Sequence, residues 1–254
     1  MSLLSIPPEL RLRIYDYLPD LQLNNLKNFS GHTSLTPPVS RTCHLLRQET
    51  IPIYASNSQF IFNIDDSSTL WSRGTQIWAQ LLSNYDSLTR VRSIYLSQHW
   101  RIPQPMRWQG HPGFYLLLER RKAAECNTTA ESFPKAWSSR FVLAQTSGLW
   151  TVTTGTYPVS KDVRGMRLES VELLASTIRK HFGDSDCEGL VPDDVNFLMQ
   201  AMDIVATHPV LDLGLQRRQD IWLSIEDKLN KLIGRTTVMN TDACKHGSIA
   251  AAPA

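Results

Sequence analysis

The chain is poor in every residue pattern that would advertise chemistry. It has four cysteines, Cys43, Cys126, Cys187 and Cys244, far apart and never in a CxxC pair. That spacing holds no zinc finger and reads as reduced thiols of an intracellular protein, cytoplasmic or nuclear. No apolar run approaches the roughly 20 residues that cross a bilayer. Pro7, Pro8 and Glu9 fall where a leader peptide needs an unbroken apolar stretch, which argues against export. Charge of either sign is not in excess: 26 Lys and Arg face 24 Asp and Glu, a net charge of +2. A basic stripe for unspecific nucleic-acid binding is therefore missing. The 12 glycines do not cluster. This leaves no phosphate-cradling loop, no dinucleotide fingerprint and no Gly-x-Ser-x-Gly elbow.

The histidines add nothing catalytic. None of the seven belongs to an HExxH, and adjacent Cys43 and His44 on a helix would diverge by about 100°, too far to share a metal easily. Asp184, Asp186, Glu188, Asp193 and Asp194 lack the spacing of a calcium loop. They read as a solvated connection with carboxylates placed at a helix start, where the dipole favours them. These absences point to a protein with no catalytic residues, no metal and no cofactor.

What is there is an ordinary globular composition, 42% hydrophobic and 20% charged over 254 residues, long enough to bury a core without disulfides. The Pro7–Pro8 pair suits the first turn of a helix, where a missing N–H costs nothing. The helix then runs to Leu18 and is stopped by Pro19. Leu10, Ile14, Tyr17 and Leu18 share one face of it, with Glu9, Arg13 and Asp16 on the other. Residues 24–36 are polar and read as a loop. A second helix is expected from Pro37 and Pro38 to about Thr50, with Val39, Cys43 and Leu46 inward and Pro52 ending or kinking it. Cys43 is expected to be a buried, inert thiol.

Gln59–Ile64, Val91–Leu96 and the FYLLLE stretch read as strands, and Phe141–Thr146 with Leu149–Thr154 as a hairpin around Ser147–Gly148. Helical spacing predicts a helix over 69–84 on Trp71, Thr75, Trp78, Leu82 and Tyr85. It predicts three more in the last hundred residues, the last ended by Gly234. The fold class is α+β: N-terminal helices, a small mixed or antiparallel sheet, and a C-terminal group of helices. The divisions are 1–64, then 65–238 packed on the first as one unit, then 239–254 as a disordered tail.

The segment from Gln98 to Gly113 carries Trp100 and Arg101, then Arg107 and Trp108. Interleaved aromatic and basic groups serve protein interfaces, stack on bases, or fold back on the body. Folding back on the body is the leading alternative; if a target binds, the place expected for it is this loop, through Trp100, Arg101, Arg107 and Trp108.

The stretch LSIPPELRLRIYDYLPD resembles the first helix of an F-box, through Ile6, Pro7, Glu9, Leu10, Ile14, Leu18 and Pro19. PPVSRTCHLLRQETIPIYASNSQFIF extends the likeness to the filamentous-fungal group of F-box-like proteins, through Arg41, Cys43, Arg47, Glu49, Tyr54, Asn57 and Phe60. The likeness covers about residues 3–64. It implies a non-catalytic adaptor whose helices dock on the Skp-type linker subunit of a cullin ubiquitin ligase while the rest of the chain holds a target. Ile6, Pro7, Leu10, Ile14 and Leu18 would form that docking face, since i, i+4, i+8 anchors suit a helix laid in a groove. The alternatives are a stand-alone structural domain whose first helix serves its own core, and a nucleic-acid or transcription-linked binder, against which the charge balance speaks.

Overall fold

The computed structural model describes residues 3–29, 36–64, 69–101, 113–120, 142–147, 149–156, 164–183, 189–207 and 215–246. The chain has an α+β fold. Helix α1 spans Pro8–Tyr15 and strand β1 Asn25–Phe29, followed by α2 at His44–Asn57 and β2 at Ser58–Ile64. Then come α3 (Thr69–Ser83), β3 (Ser93–His99), β4 (Gly113–Arg120), β5 (Val142–Ser147) and β6 (Trp150–Thr156). Three helices close the order: α4 (Arg164–Gly183), α5 (Pro192–Ala206) and α6 (Leu215–His246).

The six strands form one mixed sheet in the order β1-β2-β3-β4-β6-β5. β1, β2 and β3 are parallel, while β3–β4, β4–β6 and β6–β5 are antiparallel. Parallel neighbours need a crossover, and α2 and α3 supply one each. β2 alternates in burial, with Phe60, Phe62 and Ile64 fully inward. Phe29, Phe60, Phe62 and Trp78 nest together, with ring centroids 4.8 Å apart for Phe29–Phe62 and for Phe60–Trp78. All six helices contribute to the same core: Tyr15 from α1, Ile51 from α2, Trp78 from α3, Ile178 from α4, Leu198 from α5 and Leu229 from α6. β2 pairs along its length with β3, so residues 1–64 and the chain after them share one sheet. A smaller cluster on the other sheet face stacks Tyr95 on Tyr115 at 5.5 Å beside Leu117.

Several local expectations are corrected. Asn25–Phe29 is a strand, not loop, because its hydrogen-bonding partner β2 lies over thirty residues on. Asn24 turns the chain into it with φ 61°, a left-handed conformation that asparagine tolerates. Pro37–Pro38 open only a short 3-10 turn, Pro38–Arg41, and α2 starts afresh at His44 after an extended Cys43. Cys43 is half-buried. Pro52 neither ends nor shortens α2, because buried Ile51, Tyr54 and Ala55 hold the following turn on the core. Gly234 does not stop α6, which continues to His246 and so past Met239. The remainder of the expected tail lies outside the described residues.

Candidate protein-docking surface

α1 begins as its sequence dictates. Pro8 occupies the first turn, and the Pro7 carbonyl accepts from the N–H groups of Leu10 and Arg11. The helix ends at Tyr15, and Leu18 is already extended ahead of Pro19, as the residue before a proline prefers to be.

Its inward face is not the apolar one. Arg11 and Tyr15, one turn apart, are buried at 5% and 0% exposure. Arg11 donates from Nε and Nη2 to the two oxygens of Glu49 at 3.0 and 2.5 Å, and from Nη1 to the Ile6 carbonyl at 2.5 Å. The Tyr15 hydroxyl donates to Glu49 Oε2 at 2.6 Å. The hydrogen bonds from Arg11 hold the Glu49 carboxyl below the usual carboxylate range, and Glu49 in turn raises the Arg11 pKa further. Burial, with the bond to Glu49, pushes the Tyr15 phenol up to about 12. A charged fork and a phenol therefore fasten α1 to α2.

This turns the aliphatic residues outward. Leu10 is 52% exposed and Ile14 37%, with Tyr17 at 82%. Leu10 and Ile14 lie one turn apart on α1, and Tyr17 follows in the turn after it. Of the expected face, Leu10, Ile14 and Pro7 are thus exposed and Ile6 is half-buried. Leu18 is a correction: it packs against the core, because the chain has left the helix by that point. Tyr17, which the sequence pattern places on the same face, is exposed in the turn after the helix.

The second block that carries the F-box-like resemblance does structural work. Arg47 Nε donates to the Ser40 carbonyl at 2.9 Å, and Asn57 Nδ2 to the Leu21 carbonyl at 2.9 Å. Tyr54 and Phe60 are buried edge to face at 5.3 Å. Glu49 thus grips the first block, and Asn57 the turn that follows it.

Trp100 is not part of an exposed binding loop. It is 5% exposed and lies on Phe114 at 4.5 Å, since a flat apolar ring at the end of β3 gains more from the core than from water. Arg101 is tied to the end of α5: its N–H donates to the Ala206 carbonyl at 3.0 Å and Nη2 to Asp203 at 2.6 Å. Both act as scaffold. Arg107 and Trp108 lie outside the described residues.

Asp194 is likewise not solvated. It is 5% exposed, accepts from the Val191 N–H at 2.9 Å and meets His181 Nε2 at 2.8 Å. The imidazole stacks on Phe197 at 3.9 Å. This pair joins the end of α4 to the start of α5, while Asp184, Asp186 and Glu188 lie outside the described residues. Among the described residues no helix is long and apolar enough to cross a membrane. No family model, no curated protein and no solved structure matches the chain.

Proposed function

We propose that the chain is a non-catalytic, intracellular, F-box-like adaptor, acting in the cytoplasm or nucleus, whose α1 docks on a Skp-type linker subunit. The observation that carries this reading is the inverted helix. Leu10, Ile14 and Tyr17 face solvent while Arg11 and Tyr15 are spent on Glu49. A fold that only needed α1 for its own core gains most by burying Leu10 and Ile14. Presenting them on a helix fastened from behind supplies a rigid apolar anchor, the arrangement a helix-in-groove contact requires.

The competing reading is a stand-alone domain, and Tyr15 and Leu18 on the core favour it. Purified chain and purified linker subunit, mixed and followed by calorimetry, separate the two. The adaptor reading expects a complex that is lost in Leu10→Asp and Ile14→Asp while both variants melt within about 1 kcal/mol of the parent, as exposed substitutions do. Absence of a complex with the parent chain would overturn it.

A further inference from the structure

A second surface lies where the chain enters β3 and does not depend on the adaptor reading. The chain enters β3 through Arg90–Val91–Arg92. Val91 is fully buried, and the arginines on either side of it are exposed. Arg120 closes β4 beside them. Its main-chain N–H donates to the Arg92 carbonyl at 2.7 Å, and its Nη1 to the Thr89 carbonyl at 2.9 Å. Ser93 pairs with Glu119, so Arg92 and Arg120 are the next residues out on adjacent strands.

Three arginines thereby neighbour one another along the chain and across the ladder, at one end of the two central strands of the sheet. Four other cations each have a carboxylate partner: Arg11 with Glu49, Lys27 with Asp20, Arg101 with Asp203, Lys231 with Asp227. Among the described residues no carboxylate bonds to Arg90, Arg92 or Arg120. Arg120 spends a donor on a neutral carbonyl, which leaves its charge uncompensated. The neighbouring carboxyls do not serve. Asp86 makes no ion pair with them, and neither does Glu119, whose carboxyl pKa burial raises above its ordinary range. Like charges on facing strand positions are unfavourable, so the arrangement costs stability unless an anion completes it.

The chemistry selects the anion. Arginine offers a planar fork that matches a carboxylate in two hydrogen bonds, where a lysine gives a point charge. Nucleic acid fits poorly: three cations fall short of the roughly six to ten phosphate contacts of a duplex binder, and the whole chain carries only +2. We propose that Arg90, Arg92 and Arg120 form a docking surface for an Asp- and Glu-rich segment of a protein partner.

The test uses the full chain and a fluorescein-labelled peptide of alternating Glu and Gly, followed by anisotropy at low and at physiological salt. Binding is expected at low salt and should weaken as salt rises. Arg90→Gln with Arg92→Gln removes two exposed cations without touching the core. The double variant should bind at least about tenfold more weakly, the loss of one or two charge-assisted bonds. Arg73→Gln with Arg235→Gln, which removes as much charge from exposed positions elsewhere, should bind like the parent. No binding by the parent, or equal losses in the two double variants, would overturn the proposal. So would a single-stranded oligonucleotide that binds the same three arginines more tightly than the peptide.

Discussion

Glu49 in α2 receives both the Nε and the Nη2 of Arg11 in α1, at 3.0 and 2.5 Å, across 38 residues of sequence. The same carboxylate accepts the Tyr15 hydroxyl. One anion therefore sets how the first helix is presented, and its protonation should release that helix. Glu49 has a folded-state pKa below its ordinary value of 4.5, chiefly through the hydrogen bonds from Arg11. A depressed carboxyl contributes stability above its unfolded-state pKa and loses it as the pH falls through the folded value. Thermal melts from neutral pH downward should show a decline beginning near pH 4.5 that is flatter in Glu49→Gln. A parallel decline in the two proteins would show that other carboxylates govern acid sensitivity. Proteolysis within α1 should rise over the same range.

That contact also marks the limit of what the sequence discloses. β2, β4 and β6 are legible because their apolar residues recur at the spacing of a pleat or run unbroken. α3 is legible because Thr75, Trp78 and Leu82 keep one helical stripe, and all three are buried. β1 is not, since NLKNF holds two apolar residues and exists as a strand only through pairing with β2. The α1 surface is half legible. Helical spacing identifies Leu10 and Ile14 as one face, but nothing local says which side of α1 meets the body. That choice belongs to Glu49, and a hydrophobicity pattern gives no weight to an inward arginine. Trp100 misleads for the opposite reason: proline-rich surroundings suggest an exposed loop, while the ring itself reaches Phe114.

The burial of Trp100 leads to a second expectation. Trp100→Ala should remove about 3–5 kcal/mol, the range for truncating a large buried aromatic. Equilibrium urea unfolding measures it. A loss below about 1 kcal/mol would place the ring in solvent and return it to the candidate binding groups. Arg101→Ala should be milder, because its ion pair with Asp203 is half-exposed and such pairs contribute about 1 kcal/mol or less.

Cys43 precedes α2 with φ −155° and ψ 168°, the backbone of a helix cap, yet its side chain makes no capping bond. Its carbonyl already accepts from the Arg47 N–H. Serine is nearly the same size and supplies an oxygen that can accept from the open first turn. Cys43→Ser should therefore stabilise the protein by about 0.5–1 kcal/mol, the lower part of the range for a serine cap. Cys43→Ala, which offers no acceptor, should not. Equal effects of the two substitutions would show that the half-buried thiol acts through packing alone.

The connection into α5 meets the turn before β3 with no room to spare. A Cβ added at Gly189 would lie 2.6 Å from the Thr89 Cα and 2.8 Å from its carbonyl oxygen. Both are main-chain atoms, so no rotamer change relieves the clash, and the two segments must part. They carry different loads. Thr89 holds the Arg120 guanidinium through its carbonyl, while the segment after Gly189 leads to Val191, whose N–H is bound by buried Asp194. Gly189→Ala should therefore cost about 1–3 kcal/mol, the usual scale of overpacking. Thr89→Gly should fail to rescue it, because the obstructing Cα and carbonyl remain. Gly74 and Gly234 set the contrast: each lies within a helix with nothing inside 4 Å of an added Cβ. Alanine there should stabilise by about 0.5–1 kcal/mol through helix propensity. Denaturation midpoints of the three alanine variants, compared at constant m-value, decide whether Gly189 is required by close approach or merely tolerated.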